Sequence, residues 1–346
     1  MSTEEQQIPD PTAAERKKDH IELAFKSRID AAGLDGRFYY EPLLSAHPAS
    51  GSLLPIAFLG KPLRLPIWVS SMTGGTAMAR IINRNLARAC GEFGMGMGLG
   101  SCRQLLYSDE YLADFDVRPL MGPNMPLFAN LGVAQIEQLM ESREMDRIPE
   151  MLQKLRADGL IVHVNPLQEA LQPEGDVFKM TPLAVVKAVL EIGDFPVIVK
   201  EVGQGMGPKS LRALLQLPLA AIEFAAGGGT NFAKLELLRS SAEQHDTFAN
   251  LAAVGHSAVE MTEWLNVAVA EMGVSCKTQH VIISGGIRDY LDGYYLIQKA
   301  ALPAVYGQAS GFLKHAQGEY AILQKYIQDQ QRGLELAFAF LEVRNG

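Results

Sequence analysis

No stretch of the chain stays apolar for the roughly 18 residues that a membrane-crossing helix needs, so no membrane-spanning segment is expected. Cysteine is scarce. Cys90, Cys102 and Cys276 stand at unrelated spacings, which gives neither a disulfide framework nor a zinc pattern and fits a reducing cytoplasm. Positive charge is scarce as well. Lys and Arg number 31 against 39 Asp and Glu, a formal net charge of −8, and "ERKK" is the densest basic stretch. That balance excludes nonspecific nucleic-acid binding. The first twenty residues are polar and begin acidic, without the apolar centre of a secretory leader, so a cytoplasmic location is expected. There is no internal repeat at the length of a solenoid unit and no low-complexity segment.

What is present is an ordinary globular composition, 48% hydrophobic and 20% charged over 346 residues, enough for one large core. Eight short apolar runs recur, each followed by an amphipathic stretch. Strands are expected at 66–72, 94–100, 126–132, 159–165, 196–203, 220–227, 280–286 and 304–310. Strands apolar on both faces that alternate with helices imply a parallel sheet covered by helices. Eight such units are the count of a closed (β/α)8 TIM barrel. A doubly wound open sheet is the runner-up, weakened because no "GxGxxG" opens a helix after the first strand. "GMGMGLG" reads as strand and loop. Residues 1–14 are expected to be disordered, and 15–346 to form a single barrel domain. Its N-terminal arm carries a helix at "RKKDHIELAF", and a polar insertion follows strand six, "RSSAEQHDTFANLAAVGHS", over the barrel mouth.

The polar residues are distributed unevenly. The strands run into "SMTGG", "SCR", Asn130, "HVNPLQE", "KEVGQG", "GGGTN", "SGGIR" and "GQASG", while their opposite ends carry plain connectors such as "LP", "FG" and "MP". Barrel enzymes place their sites at the C-terminal strand ends, so this asymmetry marks one mouth as a site. "SGG" and "GQASG", after strands seven and eight, have the character of a phosphate cradle. Lys200 ends a β-branched strand, where a buried cation calls for an anionic partner.

In this order, "RKKDH", "MTGG", "GSCR", "HVNPLQEA", "VKEVG", "GGT" and "SGG" resemble the type 2 isopentenyl-diphosphate isomerases, which are FMN-dependent enzymes on a TIM barrel. The resemblance runs from about residue 15 to 315. It implies that Arg16, Lys17 and His20 grip a substrate diphosphate, with Ser101 and Arg103 also facing the substrate. It implies flavin contacts from Ser71, Met72, Thr73, Ser101, Asn130, Lys200 and Thr230, and an FMN phosphate held by Gly285, Gly286, Ala309 and Ser310. Gln168 would lie over the flavin and touch substrate, in a catalytic set with His163 and Asn165. Glu169 would hold Mg²⁺ bridged to the diphosphate. His163 reads equally as a residue that bridges strands. Ser310 stands where relatives commonly carry arginine, and Arg288, two residues past "SGG", is expected to supply part of that charge to the phosphate.

The implied reaction converts isopentenyl diphosphate to dimethylallyl diphosphate in isoprenoid biosynthesis. An unconjugated alkene is a very weak base, so an acid and a cation-tolerant surface are both needed. Reduced FMN as acid/base cofactor would supply them after reduction by NAD(P)H, with NADPH assigned as the reductant. Lys200 would stabilise the reduced ring. Carboxylate plus phosphate oxygens suit Mg²⁺. The expected partner is a small-molecule diphosphate, with no nucleic acid or membrane, and the chain is expected to assemble as a tetramer or octamer. One rival is an FMN-dependent 2-hydroxy acid oxidase, which needs a His base at the mouth near strand seven; here His280 opens that strand at the wrong end. Another is a noncatalytic flavin- or phosphate-binding barrel, against which stand Gln168 and Glu169.

Overall fold

The computed structural model describes residues 12–71 and 76–344. Eight parallel strands close in chain order: β1 (Ile67–Val69), β2 (Gly96–Gly98), β3 (Leu127–Gly132), β4 (Gly159–His163), β5 (Val197–Lys200), β6 (Ala221–Glu223), β7 (His280–Ser284) and β8 (Ala304–Gln308). The ring shuts where Tyr306, Gly307 and Gln308 pair with Ile67, Trp68 and Val69. All eight expected strands are present, each shorter than its apolar run.

Burial on both faces explains the arrangement. One set of side chains faces the helices that wrap the barrel. The other, with Trp68, Phe128, Ile161, Ile198, Ala221, Ile282 and Val305, meets inside the ring. Phe58 and Leu63 belong to that inner cluster. They come from an antiparallel hairpin, Ile56–Phe58 with Lys61–Leu63. Phe58 packs edge-on against His280, at the start of β7, with ring centroids 4.8 Å apart. Lys61 Nζ donates to Asp158 Oδ1 at 2.5 Å, and Arg118 and the Leu127 amide use the other oxygen, each at 2.8 Å. The hairpin therefore plugs the N-terminal end of the barrel, and the charges there are satisfied among themselves. Gly96 makes room for the plug's neighbour: a Cβ at that position would sit 2.3 Å from the Trp68 ring.

At the N-terminus α1 (Ala13–Leu23) buries none of its residues. It begins ahead of the expected boundary at residue 15, and residues 1–11 lie outside the described residues. Phe38–Tyr40 pairs antiparallel with Leu341–Val343, tying the two ends of the chain together. After β4 comes α2 (Pro166–Leu171); after β6 come α3 (Phe232–Arg239) and α4 (Ala242–Ala252). The polar insertion is thus helical. Asn231 and Ser241 cap α3 and α4 by accepting from the amides of Lys234 and Gln244. Leu171, Ala233 and Leu237, with Leu167 and Ala252 beside them, make a small separate core that fastens the insertion to α2 at the mouth.

Candidate active site

Strand register builds the centre of the mouth. His163 pairs with Lys200 across β4 and β5, and Lys200 with Glu223 across β5 and β6. An imidazole, an ammonium and a carboxylate therefore stand in one row. Lys200 is buried, and its Nζ donates to the Glu201 carbonyl at 2.7 Å. The Glu201 carboxylate accepts from the amides of Gly203, Gln204 and Gly205 at 2.7, 2.6 and 2.9 Å. The "KEVGQG" turn is thus wound around one oxygen of Glu201, whose pKa burial pushes up against those amides. Glu223 is wholly buried. Burial raises its pKa, while the Lys200 charge and the hydroxyls of Ser70 and Ser284 oppose the rise. Ser284 Oγ donates to Glu223 Oε1 at 3.2 Å and receives the Ala225 amide at 3.0 Å.

Beside this row opens a cavity of about 230 Å³, walled by Ser70, Ser71, Lys200, Glu223, Thr230, Ser284, Arg288, Ala309 and Ser310 and by glycine turns. Ser70 Oγ, Ser71 Oγ and Glu223 Oε2 are buried there with no hydrogen-bond partner among the described residues. Gly285 has φ +91°, and a Cβ on it would lie 2.1 Å from the Ala226 carbonyl, so the turn after β7 closes tightly against β6. Gln308 ties that turn to the next one. Its Nε2 donates to the Ile287 carbonyl at 3.3 Å, and its Oε1 accepts from Tyr326 and Gln330. Ser310 opens α5 (Ser310–Ala316). Arg288 is held by Asp292: Nε to Oδ2 at 2.8 Å and Nη2 to Oδ1 at 3.1 Å. Arg37 donates to the same Oδ1 at 2.8 Å. Burial would raise the pKa of Asp292, but hydrogen bonds from Arg288 and Arg37 bring it to about 2.

A second hollow of about 130 Å³ adjoins the first and shares Ser71, Lys200 and Phe232 with it. Ser101, Asn130, His163 and Gln168 line it. His163 Nδ1 and Asn130 Oδ1 are 2.7 Å apart, so Nδ1 donates and the ring bridges β4 to β3 while it faces the hollow. Its pKa falls to about 3, first through burial and then through the cations Lys200 and Arg103, so the ring is neutral. Asn165 is buried, and its Nδ2 donates to Gln168 Oε1 at 3.2 Å and to Glu169 Oε1 at 2.9 Å. Glu169 Oε2 accepts the Asp176 amide at 2.9 Å. Gln168 Nε2 donates to Glu236 Oε1 at 3.1 Å, and Arg239 holds the other oxygen of that buried carboxylate at 2.5 Å.

The mouth brings together Ser71, Ser101, Asn130, His163, Gln168, Lys200, Thr230, Gly285, Gly286, Arg288, Ala309 and Ser310. Asn165 and Glu169 sit directly behind Gln168. Met72 and Thr73 lie outside the described residues. Arg16, Lys17 and His20, on the exposed helix α1, line neither hollow, and Arg103 is exposed at the rim. Among the described residues no group of three or more His, Cys, Asp or Glu is placed to hold a metal ion. Glu223, Glu236 and Gln308 are among the residues that the sequence reading did not find. Glu223 carried the signal used for Lys200, a charge in an apolar strand. Glu236 and Gln308 act through partners far away in sequence and gave no local signal.

These features define a class: a closed (β/α)8 barrel with an open polar mouth, a buried lysine and glycine turns suited to an anion. Solved structures agree at the level of fold. A mandelate oxidase mutant with the monooxide FMN adduct has a TM-score of 0.53 at 15% identity, covering 90% of this chain and 88% of that one. A doubly substituted flavocytochrome b2 with sulfite bound has a TM-score of 0.60 at 12% identity, covering 87% and 72%. No protein-family model matches the chain. Among curated proteins, isopentenyl-diphosphate delta-isomerase of Rickettsia africae (strain ESF-5) is 32% identical over 324 residues, 91% of this chain and 89% of the relative. That of Rickettsia prowazekii (strain Madrid E) is 31% identical over 321 residues, with the same coverage. The chain belongs to the isopentenyl-diphosphate delta-isomerase family, and it is an enzyme.

Proposed function

We propose that the protein interconverts isopentenyl and dimethylallyl diphosphate at this mouth, with FMN in the larger cavity and substrate in the smaller. The observation that carries this reading is the junction of the two hollows at Ser71, Lys200 and Phe232. On one side of it lie three unpaired buried oxygens and two glycine turns, and on the other lie a neutral imidazole and a paired amide. The larger cavity fits a ligand with an anionic end and many hydrogen-bonding groups. Gly285, Gly286, Ala309 and Ser310 would hold the phosphate through amides and a hydroxyl, with Arg288 beside them. Lys200 would face the ring and favour negative charge there. Reduced FMN, when bound, supplies an electron-rich ring able to exchange a proton with an alkene.

The chain's own residues set the rest. His163, neutral and fixed through Nδ1, leaves Nε2 as an acceptor toward the second hollow. Gln168 cannot act as an acid at neutral pH; held between Asn165 and Glu236, it orients substrate. Glu169 has both oxygens anchored by N–H donors, so its lone pairs point in fixed directions. With diphosphate oxygens it would complete a Mg²⁺ shell. NADPH would reduce the flavin. The 2-hydroxy acid oxidase reading lacks the strand-seven histidine it needs at the mouth: His280 lies at the plugged end, with Nδ1 on the Ala220 carbonyl.

The test is to strip the protein of flavin and supply FMN, NADPH, Mg²⁺ and isopentenyl diphosphate in all combinations, following the allylic product by NMR. Product should require reduced flavin and metal together. Full activity without flavin, or none with reduced FMN bound, overturns the reading.

A further inference from the structure

Glu223 is the most deeply buried charged group in the mouth, and its place in the barrel order gives it a task. Lys200 on β5, at one end of the larger cavity, faces the ring in the reading above; the glycine turn after β7 and Ser310 after β8, at the other end, face the phosphate. β6 runs between β5 and β7, so whatever part of the ligand joins ring to phosphate passes over Glu223. The wall there is made of oxygens. Ser70 Oγ, Ser71 Oγ and Glu223 Oε2 are all buried and unpaired among the described residues, and Ser284 already satisfies Glu223 Oε1. An ionised carboxylate only accepts hydrogen bonds, and a buried acceptor without a donor is destabilising. Ser70 stands close enough to lower the Glu223 pKa but makes no full hydrogen bond with Oε2, so a hydroxyl on a bound ligand would complete the pair.

We propose that Glu223, with Ser70 at its side, is the residue that recognises the polyhydroxylated chain of the flavin, accepting a hydrogen bond from one of its hydroxyls. The inference rests on the flavin reading and deepens it. A carboxylate that only balanced the charge of Lys200 would act on the ring end. One that reads the chain acts on a part of the ligand that can be removed. Lumiflavin carries the same ring and has neither the hydroxylated chain nor the phosphate. Riboflavin keeps the chain and drops the phosphate.

The experiment titrates flavin-free wild type, Glu223→Ala and Glu223→Gln with FMN, riboflavin and lumiflavin, following flavin fluorescence. In Glu223→Ala both FMN and riboflavin should bind about ten- to a hundredfold more weakly, the loss of a hydrogen bond to a charged group. In Glu223→Gln, where the bond becomes neutral and weaker, the loss should be about three- to tenfold. Lumiflavin should bind all three proteins within about threefold, which also reports that the variants are folded. If Glu223→Ala does not fold, the Gln variant decides. Unchanged FMN and riboflavin affinity in the Gln variant, or a parallel loss of lumiflavin, overturns the proposal. If wild type binds none of the three, the flavin reading itself falls.

Discussion

Single side chains at the mouth are held by other side chains more often than by solvent, and this changes what a substitution there means. Arg288 is the clearest case. It borders the cavity next to Ser310, yet two of its nitrogens are committed to Asp292, which Arg37 also holds. Removing Arg288 would take a cation from the phosphate end and also leave a buried carboxylate short of a partner. The two effects separate by ligand. Arg288→Ala is expected to weaken FMN binding by roughly one to two orders of magnitude, the worth of a charge-assisted hydrogen bond. Binding of riboflavin, which has no phosphate, should hardly change. Equal losses for the two flavins would assign Arg288 to Asp292 and the fold alone. Ser310 and Arg288 were legible as a pair in the sequence because the family resemblance marks Ser310 as standing where relatives carry arginine, and Arg288 follows "SGG". Asp292 and Arg37 were not, since 255 residues separate the two and only the fold makes them neighbours.

Among the elements, the strands were the most legible part of the molecule. Each is a short run buried on both faces, which is what a parallel barrel needs. Their ends were less so: β6 stops at Glu223 although the apolar run continues, because the chain turns there into the cavity wall at Ala225, which has φ +43°. The hairpin at residues 56–63 went unread, since three-residue strands carry too little pattern to stand out. It also explains a feature that looked like a loop signal. Gly96 of "GMGMGLG" serves packing: it lies against Trp68, which shares the inner cluster with Phe58 of the hairpin, while Gly94 ends the preceding helix at φ +73°. Gly96→Ala must therefore move a fully buried indole or the strand that carries it. Overpacking of this kind costs about 1–3 kcal/mol, and it should appear as a lower urea midpoint with an unchanged slope. A wild-type midpoint would show that the Trp68 ring has room the structure does not give it.

At the scale of the whole chain, the ring of strands has no edge, and its two ends are joined by the pairing of Phe38–Tyr40 with Leu341–Val343. The larger cavity takes residues from β1, β5, β6, β7 and β8 or the turns that follow them. A ligand there touches most of the closed circuit, so it should stabilise the barrel as one unit. The helices of the insertion are fastened to the mouth by their own small core around Leu171, and they should melt with it. Calorimetry of the flavin-free protein is expected to show one transition. FMN at about one hundred times its dissociation constant adds about 2.7 kcal/mol. Spread over the unfolding entropy of a chain this long, about 2.1 cal/mol/K per residue, that raises the midpoint by about 4 °C. The size of the shift follows from mass action, but its form is a property of the fold. Two transitions, only one of which moves with FMN, would show that the barrel divides and that the cavity belongs to one part of it. A single transition that moves whole is what a closed ring with a cavity spanning five of its strands requires.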